Sequence, residues 1–236
     1  VVTDPRTLGE RIQVASPIHY VTADTMIVPP PAVDEAEAVE VIRGPNIKPV
    51  PIADPLPDTL EVQVLLKVGD NITTDHIMPA GAEILPLRSN IPAISEYVFA
   101  RVDPDFVSRA KSCESGALVG GVNYGQGSSR EHAALAPMYL GVKAVIAQSY
   151  SRIHHANLVN MGMLPLEFVN GEDYEHIEQG DTLQIVGIQE ALEGKSELSV
   201  QNRSQHTSYE MQVHLTERQR RVLLAGGLLN DYRTGE

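Results

Sequence analysis

Between residues 117 and 168 the sequence alternates short apolar runs with helix-like stretches, joined by very short links. Ala117–Gly120 reads as a buried strand, too short for a helix. A glycine-rich turn follows, and a helix is expected from about Ser128. Ala144–Ala147 is a second apolar strand, Arg152–Met161 a second helix and Leu164–Phe168 a third strand. Parallel neighbours cannot be joined by a tight hairpin; they need a crossover, which a helix supplies. Strand–helix–strand–helix–strand therefore predicts a parallel sheet and an α/β fold.

The flanks extend this pattern. Leu60–Val68 is an apolar strand ended by Gly69-Asp70, and Ile94–Phe99 and Phe106–Ala110 are two short helical pieces, the second entered through Asp103-Pro104. Thr182–Val186, Leu198–Val200 and Tyr209–Leu215 are strands with no helix between them, which predicts antiparallel pairing. Thr216 opens a last helix through Leu224, and Gly226-Gly227 ends it.

The first 57 residues cannot join that core readily. Pro29, Pro30 and Pro31 form a stiff break, an acidic stretch runs from Asp34 to Glu40, and Pro45, Pro49, Pro51, Pro55 and Pro57 follow. Prolines at that density exclude helix interiors and central strands. Residues 1–57 read as a proline-rich lead-in and linker with room for a short strand or two; residues 58–236 read as the domain. The chain opens on Val1 rather than Met, as expected of a processed or excised piece.

Composition narrows the function. Hydrophobic residues make up 42% and charged residues 21%, enough for a real core. No apolar run approaches the roughly 20 residues of a membrane helix, and no signal-peptide pattern opens the chain, so a cytoplasmic protein is expected. The formal charge of −13 repels nucleic acid. An anionic substrate would have to be met by bases gathered at one site. The single cysteine, Cys113, permits no disulfide within the chain. One thiolate cannot hold an iron–sulfur cluster, which takes about three or four, and no Cys/His spacing supports a metal site here.

Such a gathering of groups exists at Asn123-Tyr124-Gly125-Gln126-Gly127-Ser128-Ser129-Arg130-Glu131-His132, between a strand and a helix. Two glycines allow a tight turn and close approach to a ligand. First-turn N–H groups and the helix dipole favour an anion. Ser128 and Ser129 add hydroxyls, and Arg130 a planar fork that suits a carboxylate. The plainer reading is equally open at this point: Ser128 with Glu131 three residues later makes a capping box. His132 reads as structural. A second segment, Gly69 to Gly81, carries Thr73, Thr74, Asp75 and His76 at the end of the first strand, where α/β folds place ligands. Asp75 beside His76 could orient a partner, or the segment could be a polar turn. Arg88 follows in a loop.

Together these segments resemble the aconitase family. Thr73-Thr74-Asp75-His76-Ile77, Asn123-Tyr124-Gly125, Gly127-Ser128-Ser129-Arg130-Glu131-His132-Ala133-Ala134-Leu135, Ser151-Arg152-Ile153-His154 and Gly162-Met163-Leu164-Pro165-Leu166 look like the signatures of its C-terminal swivel domain, in order from about Leu60 to Leu229. The resemblance implies a swivelling β/β/α three-layer domain, with a parallel central sheet and a smaller antiparallel sheet. It implies conversion of citrate to isocitrate through cis-aconitate, with Ser128 as the catalytic base, Ser129, Arg130 and Arg88 binding substrate carboxylates, and Asp75 and His76 behind them. It also implies a [4Fe-4S] cluster in the complete enzyme, held by N-terminal cluster-binding domains absent here. This chain alone is expected to bind no cofactor and to be inactive. Its partners would be the tricarboxylate substrate and those domains, with no membrane and no nucleic acid. The alternatives are a small subunit of 3-isopropylmalate dehydratase or homoaconitase, and, in another class, a non-catalytic RNA-binding module.

Overall fold

In the computed structural model, residues 3–9 and 14–234 are described; residues 1–2, 10–13 and 235–236 lie outside that set. Contacts divide the chain into two units, Val1–Arg43 and Gly44–Glu236. The described part of the first unit holds three single 3₁₀ turns, Pro5–Thr7, Asp24–Met26 and Ala36–Ala38. It has no strand and no buried residue among its described residues. The second unit takes in the later part of the lead-in: Leu56 is buried in its core, and Asn230 Nδ2 donates to Ala53 O at 2.9 Å.

Among the described residues, seven strands and nine α-helices build the second unit. They are β1 (Thr59–Lys67), α1 (Thr74–Ile77), α2 (Ile91–Ile94), α3 (Phe106–Lys111), β2 (Gly116–Gly120), α4 (His132–Tyr139), β3 (Val142–Ala147) and α5 (Arg152–Asn160). Then come β4 (Leu164–Phe168), α6 (Asp173–His176), β5 (Thr182–Val186), α7 (Ile188–Glu190), β6 (Glu197–Asn202), β7 (Thr207–Gln212), α8 (Glu217–Leu224) and α9 (Leu228–Thr234).

β1 to β4 run parallel in sequence order, as the strand–helix alternation predicts. β5, β6 and β7 are antiparallel to one another. The two groups are not separate sheets. β1 pairs with β5 and β4 with β7, both antiparallel, closing one sheet in the order β1-β2-β3-β4-β7-β6-β5. The expected second, smaller sheet is thus the far wall of a barrel. Each strand thus has a neighbour on both sides, although β4 and β7 meet only over Glu167–Phe168 and Met211–Gln212.

Period-two alternation fills the barrel from inside. Val62, Val64, Ala117, Val119, Ala144, Ile146, Leu164, Leu166, Ile185 and Val200 share one buried cluster. Their alternates Leu65, Leu118, Val145 and Ala147 belong to a second cluster with Phe99, Phe106, Ala133–Ala136 and Leu158, under α3, α4 and α5. Each buried Val, Leu or Ile side chain among them contributes about 2 kcal/mol. Two cores, one on each face of the parallel strands, make those strands stiff, and both segments expected to carry chemistry leave the sheet from them.

Candidate active site

β1 and β2 are parallel neighbours, so their C-terminal ends open on the same edge. The segments that follow them are stitched together. Asp70 Oδ1 accepts from Val122 N at 2.7 Å. Asn123 Nδ2 donates to Asn71 Oδ1 and to Gln126 Oε1, each at 3.1 Å. Gly125 N donates to Ile72 O at 2.7 Å, and Thr74 N to Gln126 O at 2.9 Å. Asn71 and Asn123 adopt left-handed φ values of 57° and 59°, which Asn tolerates better than other side chains. Gly125 has φ +80°, and a Cβ there would lie 2.2 Å from the His154 ring, so only glycine fits.

The helix after this turn starts later than the sequence suggests. α4 begins at His132, with Glu131 at the N-cap position and no side-chain cap. The Ser128–Glu131 capping box does not form. Gly127 turns the chain at φ +107°, and Arg130 N donates back to Ser128 O at 2.7 Å. Arg130 is meanwhile drawn sideways, so the first helical turn cannot extend back to Ser128. Ser128 and Ser129 are exposed, and Ser128 stands four residues ahead of the first helical residue. A helix dipole acts within about one turn, so the dipole of α4 reaches Ser128 only weakly.

What draws Arg130 is the segment after β1. Its Nη1 donates to Asp75 Oδ1 at 2.7 Å and to Met78 O at 2.6 Å. The Nε and Nη2 donors have no partner among the described residues. They form one edge of the guanidinium, spaced for two parallel bonds to a carboxylate. Arg130 beside Asp75 holds that carboxyl below its ordinary range. His76 does something else: its Nδ1 accepts from Thr73 N, and its own N–H donates to Thr73 Oγ1, both at 3.1 Å, capping α1. Of the two residues expected behind the substrate contacts, Asp75 touches Arg130, and His76 shapes the turn.

Arg88 arrives from farther along the β1–β2 crossover, after the 3₁₀ turn Leu85–Leu87. Its carbonyl accepts the hydrogen bond of His132 Nε2 at 2.8 Å. Arg88, Ser128, Ser129 and Arg130 line one cavity of about 240 Å³, together with Glu131 and His132. The wall is completed by Met78, Pro79, Ile84, Leu85 and Ile94. Two guanidinium groups against an aliphatic wall interact with an anion more strongly than they would in open water. Sequence reasoning missed Met78 and its carbonyl, although it directly follows the Thr-Asp-His-Ile segment; backbone acceptors carry no residue-type signal.

Beneath the turn lies a buried polar layer. His154 is 1% exposed and tilts against the Tyr124 ring at 5.4 Å. Burial lowers its pKa to about 4, and the charge of His155 adds to this. Burial raises the Tyr124 phenol well above its ordinary value. Both rings are therefore neutral at pH 7 and serve as a firm floor under Gly125.

No group of three or more His, Cys, Asp or Glu suited to a metal ion occurs among the described residues. Cys113 lies before the N-terminal end of β2, whereas the cavity is built beyond its C-terminal end. Its thiol is half-buried and donates to Ser115 O at 3.2 Å.

Residues 100–171 match the family model described as the aconitase C-terminal domain. A probable mitochondrial aconitate hydratase of Caenorhabditis elegans is 34% identical over 73% of this chain and 25% of its own length. A 3-isopropylmalate dehydratase small subunit of Halothermothrix orenii is 39% identical over 58% of this chain and 77% of its own. The crystal structure of a 3-isopropylmalate dehydratase from Methanocaldococcus jannaschii superposes with a TM-score of 0.61 at 29% identity, covering 74% of this chain and 93% of that one. The chain spans about a quarter of the length of the aconitate hydratases it matches.

Proposed function

From a chain that belongs to the aconitase family and carries its C-terminal domain, we propose that this protein is the substrate-facing part of an aconitate hydratase. In that reading the complete enzyme interconverts citrate and isocitrate through cis-aconitate, by loss and re-addition of water. The observation that carries it is the convergence of Arg88, Ser128, Ser129 and Arg130 on one cavity.

In this reading the geometry supports the following roles. Arg130, fixed through Nη1, offers its free Nε/Nη2 edge to one carboxylate, and the Ser129 hydroxyl completes that contact. Arg88 meets a second carboxylate across the cavity. Ser128 Oγ, with no acceptor or donor of its own among the described residues, acts in its alkoxide form: it takes the proton from the carbon next to the bound carboxylate as the C–O bond of the neighbouring carbon breaks, the hydroxyl leaving as water with a proton from groups outside this chain, and rehydration reverses these steps. The [4Fe-4S] cluster of the complete enzyme does not fit this chain, whose single thiol is at the opposite end of the sheet. In this reading other domains hold it.

A second reading has support of its own. Identity to the small subunit is higher than to the aconitate hydratase, and the solved dehydratase is covered almost end to end. That same coverage leaves about a quarter of this chain unmatched, and a long lead-in suits a fused enzyme better than a separate small subunit. The aconitate hydratase of Caenorhabditis elegans is named as mitochondrial, so the expected cytoplasmic placement draws no support from it. The −13 charge argues against an RNA-binding module.

The deciding experiment is Ser128→Ala in the complete enzyme, assayed with citrate and with 3-isopropylmalate. Loss of a general base should lower kcat by about 10²–10⁴-fold and leave KM nearly unchanged. Turnover of 3-isopropylmalate alone would select the second reading. An unchanged kcat would remove Ser128 from the chemistry.

A further inference from the structure

Arg88 is the one cavity cation whose side chain has no hydrogen bond or ion pair among the described residues. Where its guanidinium can reach is therefore set by its main chain. That main chain lies on a loop with little regular structure: a single 3₁₀ turn before it and the four-residue α2 after it. Something must hold it at a fixed distance from Arg130.

The holding contact comes from α4. His132 is the first residue of that helix, two residues beyond Arg130, and its side chain is only 16% exposed. Its Nε2 lies 2.8 Å from Arg88 O. A carbonyl oxygen can only accept, so Nε2 must carry the proton and donate. The other ring nitrogen, Nδ1, stands 3.6 Å from Glu131 Oε1, too far for a hydrogen bond. The bond to Arg88 is the ring's fixed contact.

We infer that His132 is a positioning residue for the reaction, which sets the spacing between the Arg88 and Arg130 guanidinium groups by clamping the Arg88 main chain to the helix that follows Arg130. The inference rests on the reading of the cavity given above. A substrate with carboxylates at both ends of a short carbon skeleton demands a fixed separation of its two cationic anchors; local turns and buried Ile84 and Ile91 seat the Arg88 loop on the core, and the His132 bond ties it to the helix that follows Arg130. The lead-in adds a second tie to the same loop, since Lys48 N donates to Ser89 O at 2.9 Å, so the clamp acts on a segment already held from outside.

The test compares His132→Leu, His132→Gln and Arg88→Ala in the complete enzyme. Leu fills the space but cannot donate. Gln places an N–H donor about where Nε2 stands. His132→Leu should raise KM about 5- to 10-fold, the value of one hydrogen bond plus imprecise placement, with a smaller change in kcat. His132→Gln should restore most of the loss. Hydrogen exchange at residues 84–91 should speed up in the Leu variant and not in the Gln variant. If His132→Leu leaves KM unchanged while Arg88→Ala raises it, the clamp is refuted and the cavity reading stands. If Arg88→Ala also leaves KM unchanged, both fail. Equal loss in the Leu and Gln variants, with normal exchange at 84–91, would likewise overturn the clamp.

Discussion

Arg130 Nη1 and Asp75 Oδ1 lie 2.7 Å apart, joining the turn after β2 to the turn after β1. This pair decides which donors of Arg130 are left for a ligand. With Nη1 committed to Asp75 and to Met78 O, the Nε/Nη2 edge is left without a partner among the described residues. In the proposed reading Asp75 acts on binding through the orientation of Arg130.

Asp75→Asn should therefore loosen Arg130 with little effect on folding. Asp75 is about half exposed, and such pairs contribute little to stability in water. We expect KM to rise about threefold to tenfold in the complete enzyme, with a melting temperature near that of the parent. The pH dependence has a definite sign. The folded pKa of Asp75 is lowered, chiefly by its hydrogen bond to Arg130, so the pair is intact above the ordinary carboxylate range and is lost as pH falls through the lowered value. A KM rise at acid pH that persists unchanged in Asp75→Asn would assign it to another group.

His154 gives a pH effect on stability. Its folded pKa is about 4, against an ordinary value of 6.5. Between these values the unfolded chain binds a proton that the folded chain refuses. The contribution is complete above pH 6.5 and is lost as pH falls from there towards 4, by about 3 kcal/mol in all. Urea unfolding of the parent and of His154→Gln between pH 4 and 7 measures it. The variant should lose part of the slope; identical slopes would mean that other groups govern it.

Much of the fold is legible because each strand carries its own local signal. Leu164–Phe168 and Thr182–Val186 have the same bounds in sequence and structure. Barrel closure is not legible: β1 meets β5 across more than a hundred residues, and no local pattern encodes that pairing. Helix α9 hides behind Gly226-Gly227, which reads as an ending, and its Asn230, Asp231 and Thr234 are weak helix formers. At the cavity, the Gly-Ser-Ser-Arg run is visible as residue types. The start of α4 is misread because Ser128 and Glu131 have capping-box spacing, while the real constraint is Arg130 reaching back to Asp75 and Met78. The His132–Arg88 tie is equally silent, since its acceptor is a main-chain oxygen.

The chain by itself should bind no iron and turn over no substrate. Its one thiol lies before β2, remote from the cavity, and a cluster takes about three or four thiolates. Metal analysis after anaerobic reconstitution, with an absorbance assay for cis-aconitate, provides the check. Turnover without added domains would contradict it.

Arg130→Lys separates charge from shape. Lysine keeps the positive charge, so simple electrostatic attraction for a substrate carboxylate survives. It has no planar fork, so it cannot hold Asp75 and Met78 O on one side while presenting two parallel donors on the other. Its ammonium must choose between the internal partners and the ligand. Substrate would then be bound by a single adjustable contact, and its acidic carbon would no longer sit squarely at Ser128 Oγ. KM should rise strongly, by about tenfold or more, and kcat should fall as well, because misplacement of the order of 1 Å at a reacting centre can cost about 10²-fold. Ser128→Ala, in contrast, should affect kcat almost alone. Measuring both constants for both variants distinguishes the holder of the carboxylate from the taker of the proton. A lysine variant with parental KM would mean that the free Nε/Nη2 edge of Arg130 meets no carboxylate.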